Sequence, residues 1–432
     1  MLGRSFEKAD FDGFFGNRAV FKLWFDFKNL EIKGLGLVLK FYFKGNYMEF
    51  SNRTPRDLSF NPISSAQDRL EGTSLLDLTQ SNPTQCGFNY PSNLLETLGK
   101  SRGLFYEPEP FGHSNARQAV ADYLSRHGPP LDPSNVILTA STSEAYSFIF
   151  KLLGNPGDRF LVPAPGYPLL DHLLCLEGLE SIPYFLKKEP GWPLDRDPFE
   201  KALRQGTKGL ITVNPHNPTG CFLSLADQSF LTDQCRQNSM AFLSDEVFSD
   251  FAFPGQGSGE KPTPDILSFR LGGLSKSLGL PQLKLSWIVM EGPAGVLAEC
   301  RARMELIADT YLSVNTPVQL ALGDLLKFAP IFREQVLSRV LENLACLERT
   351  LADLPDVKVW PVQGGWYALV EVLKPGVSEE QRVIDLLEKQ GVWVHPGGFY
   401  DFPQGSFLVL SLLPAVRVFE EAAGRIKKSF RV

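Results

Sequence analysis

From about residue 112 onward, short apolar runs alternate with segments whose apolar positions recur every three or four residues. The runs are "NVILT" (135–139), "RFLVP" (159–163), "GLITV" (209–213), "AFLS" (241–244), "ILSF" (266–269) and "LSWIVM" (285–290). Runs this short, without polar alternation, suit strands buried on both faces, as in a mostly parallel sheet between helix layers. Helical patterns lie between them. "NARQAVADYLSRHG" puts Ala116, Val120, Tyr123 and Leu124 on one face and stops at a glycine, while "ASTSEAYSFIFKLL" follows the first run directly. After about residue 318 the character changes: "LSRVLENLACLERTLADL" reads as a long amphipathic helix, followed by strand-like "WYALVEV" and "GVWVHP". The expectation is an α/β chain with a large domain and a smaller α+β domain, the latter built from an N-terminal segment and the C-terminal third. The expected division is an arm plus part of the small domain at 48–93, the large domain at 94–318 and the small domain at 319–432.

Composition narrows the class of function. At 432 residues the chain exceeds what one hydrophobic core usually organises, which favours two domains. A net charge of −6 gives no electrostatic case for nucleic acid or an anionic membrane as partner. Cys86, Cys175, Cys221, Cys235, Cys300 and Cys346 are scattered without a CxxC pair, a spacing that fits free thiols in a reducing cytosol rather than a disulfide frame or a zinc site. No apolar run approaches the length that crosses a bilayer, so a cytoplasmic protein is expected. Residues 1–47 differ from the rest: they are rich in Phe, contain no Pro, and lack the cleavage-site pattern of a signal peptide. The expectation is an atypical extension, either preceding a native start at Met48 or covering a partner surface.

In open α/β sheets, ligands bind beyond the carboxyl ends of the strands, so the polar residues that follow each run matter most. "LTASTSEAY" (138–146) opens a helix. Ser141 and Glu144 have capping-box spacing, and the free N–H groups of Thr142 and Ser143 at a positive helix end suit an anion. "VNPHNPTG" (213–220) is a turn signal that can also aim the Asn217 amide into a strand-end crevice. "FLSDEVFSDF" (242–251) places Asp245 and Glu246 right after an apolar run, where a carboxylate needs a cationic partner or a helix start. "GLSKSLGLPQLKLSW" (273–287) sets Lys276 and Lys284 eight residues apart in an otherwise apolar, glycine-punctuated stretch. Each motif alone has an ordinary structural explanation. Four in succession, each at a strand end, do not.

From about Leu76 to the C-terminus the chain resembles the class I/II aminotransferases, which are fold type I pyridoxal-phosphate enzymes. The resemblance is carried by "YEPEPFGHSNARQAVADYL", "LTASTSEA", "VPAPGYP", "NPHNPTG", "SDEVF", "SKSLGLP" and "VHPGGFY". It implies a seven-stranded, mostly parallel sheet and pyridoxal 5'-phosphate as cofactor. Lys276 would form the Schiff base with the cofactor aldehyde and then shuttle protons. Asp245 would pair with the pyridine nitrogen, Asn217 would hydrogen-bond the ring 3-oxygen, and Tyr167 would stack on the ring. Ser141, Thr142 and Ser143 would cradle the phosphate, with Lys284 adding a cation. Tyr106 matches a tyrosine that reaches the neighbouring subunit's phosphate, which implies a homodimer with interfacial sites. Small-molecule amino donors and keto acceptors would be the substrates.

Four positions depart from that pattern. Lys284 stands for an arginine, Gly273 for a serine hydroxyl near the phosphate, and Phe248 for a tyrosine donor to the cofactor. Val409 stands where a substrate-carboxylate arginine is expected, and Arg417 falls at the start of the terminal helix, a poor substitute. An apolar side chain cannot clamp a carboxylate. Other groups would then contact substrate, Ser81 and Asn82 of "QSNPT" and His395 being the candidates, or the donor lacks that carboxylate. The expected activity is amino transfer with non-standard substrate recognition. The alternatives are a pyridoxal-phosphate lyase, cyclase or oxidase, or a cofactor-binding protein without turnover.

Overall fold

The computed structural model describes residues 50–431, apart from 56–60, 71, 127, 205, 258–264 and 375. The extension expected at 1–47 lies outside the described residues. Leu76–Asp77 is a two-residue strand, β1. The apolar runs then form β2 (Val136–Thr139), β3 (Arg159–Ala164), β5 (Gly209–Val213), β6 (Ala241–Asp245), β7 (Ser268–Gly273) and β8 (Ser286–Glu291). One further strand, β4 (Glu180–Phe185), joins the edge. It has no continuous apolar run because only one side of it is paired, and it carries Pro183, a residue that edge strands tolerate.

The order is β2-β8-β7-β6-β5-β3-β4. β8 alone runs antiparallel to its neighbours, and the remaining contacts are parallel. Strands β5, β6 and β7 are buried along their whole length, as sheet centres covered on both faces require. The carboxyl ends of β2, β3, β5, β6 and β7 therefore share one edge of the sheet. β8, running the other way, contributes its first residues to that same edge. Its reversal is made by the turn Pro281–Leu283 and by Lys284, whose φ of 51° is left-handed.

The C-terminal third supplies β9 (Val357–Val359), β10 (Tyr367–Val372), β11 (Val392–Trp393), β12 (His395–Pro396) and β13 (Phe407–Ser411). β12-β13-β10-β9 form an antiparallel sheet, while β11 pairs in parallel with β1. "GVWVHP" thus divides between two sheets. Helix Ala329–Leu351 is the long amphipathic helix expected from the pattern, and it packs on the terminal helix Val416–Phe430. A third apolar cluster joins Leu186, Trp192 and Leu194, which follow β4, to Trp360, Leu369, Phe407 and Val409 of the small sheet. Beside it Lys188 Nζ lies 2.7 Å from Glu371 of β10.

Candidate active site

Asp245 is the last residue of β6 and is buried. Tyr146, one turn into the helix Thr142–Leu153, donates its hydroxyl to Asp245 Oδ2 at 3.0 Å, and Val247 N–H donates to Oδ1 at 3.1 Å. Burial holds the Tyr146 phenol well above its ordinary value, so it stays a donor. Burial also pushes the Asp245 carboxyl up to about 6, against the two hydrogen bonds and the positive charge of Lys276. Lys276 lies in the short helix Leu274–Ser277 that follows β7. Burial brings its ammonium down to about 8, with Asp245 opposing. The two groups move toward each other in pKa, the pattern of a site whose protons are transferable.

Aromatic rings enclose the lysine. Its Nζ lies 4.7 Å from the Trp366 ring centroid and 5.2 Å from that of Phe248. Phe248 meets Trp366 edge-on at 5.2 Å. Tyr167 lies near enough to Asp245 and Tyr367 that their charges add to burial in pushing its phenol up to about 12. Its loop is fixed by Gly166 N–H donating to the Tyr400 carbonyl at 2.9 Å. Asn217, in the loop after β5, is buried, and its amide makes no hydrogen bond to the described chain. That loop is tied to the aspartate, since Asn214 N–H donates to the Asp245 carbonyl at 2.9 Å.

At the neighbouring strand end, Ser141 caps the helix Thr142–Leu153. Its Oγ accepts from Glu144 N–H at 3.1 Å, and Glu144 Oε2 accepts at 2.6 Å from Ala140 N–H, one residue before the cap, where a full capping box would take the N–H of Ser141. Thr142 and Ser143 form the first turn and are half-buried. Lys284 is exposed and has no carboxylate partner among the described residues. Tyr106 is 73% exposed, beside Leu104 at 87% and Phe105 at 65%.

Of the remaining sequence candidates, Val409 and His395 share one face of the small sheet. His395 of β12 and Leu369 of β10 flank Val409 in register, with Tyr367 opposite Ser411 in the next row. Ser81 lies against the Tyr367 hydroxyl, and Ser411 Oγ donates to the Gln80 carbonyl at 2.6 Å. Asn82 spends its oxygen on Thr84, accepting from N–H at 3.2 Å and from Oγ1 at 2.8 Å. His395 Nδ1 lies 3.2 Å from the Tyr400 hydroxyl, and burial lowers its pKa against the nearby Asp77 charge. Val409 is 1% exposed within an apolar cluster, with His395 as its one flanking polar strand partner, and Arg417 is exposed at the start of the terminal helix. Sequence reasoning did not find Tyr146, Trp366, Tyr367 or Tyr400. Each is an aromatic within an apolar pattern, and only the fold turns it toward a polar group.

An α/β sheet with a half-buried lysine and a buried aspartate at adjacent strand ends, an asparagine amide without a partner and a capped helix start defines a site suited to an anionic, ring-bearing cofactor. The comparisons say which one. Residues 75–416 match the family model "Aminotransferase class I and II". The chain belongs to this family and is a pyridoxal-phosphate-dependent aminotransferase. It is 26% identical over 371 residues to the glutamate-pyruvate aminotransferase AlaA of Haemophilus influenzae, covering 83% of this chain and 91% of that protein. It is 27% identical to the tyrosine aminotransferase of Bos taurus, covering 87% and 88%. The solved alanine aminotransferase of Pyrococcus furiosus superposes with a TM-score of 0.78 at 24% identity, covering 86% and 95%, a likeness in fold.

The residues present fit the cofactor. Asn217 Oδ1 is buried without a partner and its NH2 makes no hydrogen bond among the described residues, the Asp245 carboxylate has a cationic neighbour, and the helix start at Ser141 offers N–H groups to a phosphate.

Proposed function

We propose that the chain transfers an amino group from an amino acid or amine to a keto acceptor, with Lys276 as the catalytic residue and a substrate site that holds no cation at position 409. The observation that carries this reading is the Lys276–Asp245 pair at the ends of β7 and β6. Pyridoxal phosphate, when bound, supplies an aldehyde that condenses with amines and an electron-poor ring that acidifies the neighbouring C–H bond. Asp245, kept in place by Tyr146 and Val247, pairs with the ring nitrogen. Asn217 gives its amide N–H to the ring oxygen, and Tyr167 covers the ring. Ser141, Thr142 and Ser143 hold the phosphate, with Lys284 and a partner copy's Tyr106 as further contacts. Lys276, with a pKa near 8, is about one-tenth neutral at pH 7, far more than an ordinary lysine, and can accept and return a proton at Nζ.

Substrate recognition differs from a charge clamp. Val409 sits among Leu369, Tyr400 and Phe407, so the face beside it offers hydrogen-bond donors without fixed charge: Ser81, Asn82 and His395. A burial-lowered imidazole is neutral at neutral pH. Donors whose recognition rests on apolar or hydroxyl groups are therefore favoured over those held by a carboxylate. The alanine and tyrosine aminotransferases among the relatives support amino acids as a starting panel. The exposed Leu104, Phe105 and Tyr106 support a homodimer, and the two separate sheets support the division into a large domain (94–318) and a small one (319–432) with the 48–93 arm. A cytoplasmic location fits the free cysteines.

The test is to incubate the enzyme with a panel of amino donors and isotope-labelled keto acids and to detect labelled amino acid by mass spectrometry. Transfer that Lys276→Ala abolishes is expected. Consumption of donor without any labelled amino acid would replace amino transfer by a lyase, cyclase or oxidase reaction.

A further inference from the structure

Gly273 closes β7 three residues before Lys276. Its backbone is extended, with φ 174° and ψ 163°, a conformation any residue adopts. What excludes a side chain there is Ser286. A Cβ placed on Gly273 would lie 2.2 Å from Ser286 Oγ and 2.8 Å from Ser286 Cβ, far inside contact distance. Ser286 opens β8, and because β8 runs against its neighbours this first residue sits beside the last residues of two other strands. It pairs with Gly273 on one side and with Thr139 of β2 on the other.

Directly opposed residues project from the same face of a sheet. Ser286 therefore occupies the face that a side chain at 273 would use, and Thr139 shares that face. Thr139 Oγ1 donates to the Ser141 carbonyl at 3.0 Å, so this is the face that carries the start of the helix Thr142–Leu153. Ser286 is 1% exposed, and among the described residues no hydrogen bond uses its hydroxyl. The side chain is almost fully enclosed, yet its Oγ is not shut off from the surface, so the hydroxyl is free to meet a ligand at the strand end. Two independent features thus meet at one place: the open N-terminus of a twelve-residue helix and, on the same sheet face, an unpaired hydroxyl on a side chain that is 1% exposed.

We propose that Ser286 binds the phosphate of pyridoxal phosphate, supplying from β8 the hydroxyl that position 273 lacks. Gly273 and Ser286 then form one unit, since only one of the two positions has room for a side chain. This rests on the reading that Ser141, Thr142 and Ser143 hold the phosphate.

The test titrates the full-length apoenzyme with pyridoxal 5'-phosphate and, separately, with pyridoxal, which lacks the phosphate, following tryptophan fluorescence. Ser286→Ala is expected to weaken pyridoxal phosphate by about tenfold or more, as one lost hydrogen bond to a charged group should, and to leave pyridoxal unchanged. Ser286→Gly should do the same, and Gly273→Ser added to it should recover most of the loss. Circular dichroism confirms folding, and the Gly273→Ser/Ser286→Gly pair supplies the answer if Ser286→Ala fails to fold. Equal effects on both ligands, or no effect on either, would overturn the assignment, as would a double variant no tighter than Ser286→Gly. Ser143→Ala separates the two readings. If it discriminates between the ligands and Ser286→Ala does not, Ser286 is excluded and the helix start stands. If neither discriminates, both assignments fall.

Discussion

At the scale of single residues, the site turns on groups moved off their ordinary protonation. Lys276 has a folded-state pKa near 8 against an ordinary 10.5, because burial disfavours its charged form. The sign follows. Below pH 8 the buried charge weighs on the fold in full, and the penalty is released as pH rises from about 8 to about 10.5. In the apoenzyme, acylation of Lys276 by limiting acetic anhydride, followed by peptide mass spectrometry, should rise with an apparent pKa near 8 while exposed lysines titrate about two units higher. A value near 10.5 for Lys276 would mean that the amine is solvated or that Asp245 fully offsets its burial, and would overturn the lowered value. Val409 is the second decisive residue. It is 1% exposed, and Val409→Arg would drive an unpaired charge into a cluster with Leu369, Tyr400 and Phe407. A loss of about 3 kcal/mol in urea denaturation is expected. A variant of unchanged stability with tighter carboxylate binding would show that position 409 opens on the substrate.

At the scale of elements, the helix Thr142–Leu153 does two jobs with one terminus. Ser141 satisfies one of its orphan N–H groups, that of Glu144, and Glu144 Oε2 accepts from Ala140 N–H just before the cap and from Ser313 Oγ at 2.8 Å, which ties the helix start to a distant segment. Removing the cap with Ser141→Ala should lower apoenzyme stability by about 1 kcal/mol, while Ser141→Asp, which can still cap, should retain most of it. If both variants melt alike, the hydroxyl acts mainly on the ligand and not on the helix. Most strands were legible because sheet centres demand unbroken apolar runs. β4 was not, since an edge strand needs no such run. β7 begins two residues later than "ILSF", because the strand runs on through Arg270 and the two glycines, a polar, side-chain-poor stretch that carries no apolar signal. Arg270 is buried there through Glu291 at 3.0 Å.

At the scale of the whole molecule, one of the seams between the two sheets carries a buried charge. Leu186, Trp192 and Leu194 meet Trp360, Phe407 and Val409, and Lys188 reaches the buried Glu371, which also accepts from Trp360 Nε1 at 3.0 Å. Lys188→Met leaves that carboxylate without its cation. Because Lys188 is itself 36% exposed, the expected cost is about 2 kcal/mol, below the range for fully buried pairs. Adding Glu371→Gln should recover part of it. Additive losses measured by denaturation would show that the two residues do not act as a pair.

The sequence by itself determined the class of fold, the family and the linear order of Asn217, Asp245 and Lys276, because short apolar runs and the residues that end them are local features. It also exposed the departures at Gly273, Phe248, Lys284 and Val409, each a matter of which residue stands where. Only the tertiary structure decided what surrounds those residues. Tyr146 reaches Asp245 across 99 positions, Trp366 covers Lys276 from the loop that enters β10, and Ser286 fills the space beside Gly273 because β8 runs against its neighbours. Contacts of that kind are set by strand order and direction, and no periodicity along the chain encodes which strand becomes whose neighbour.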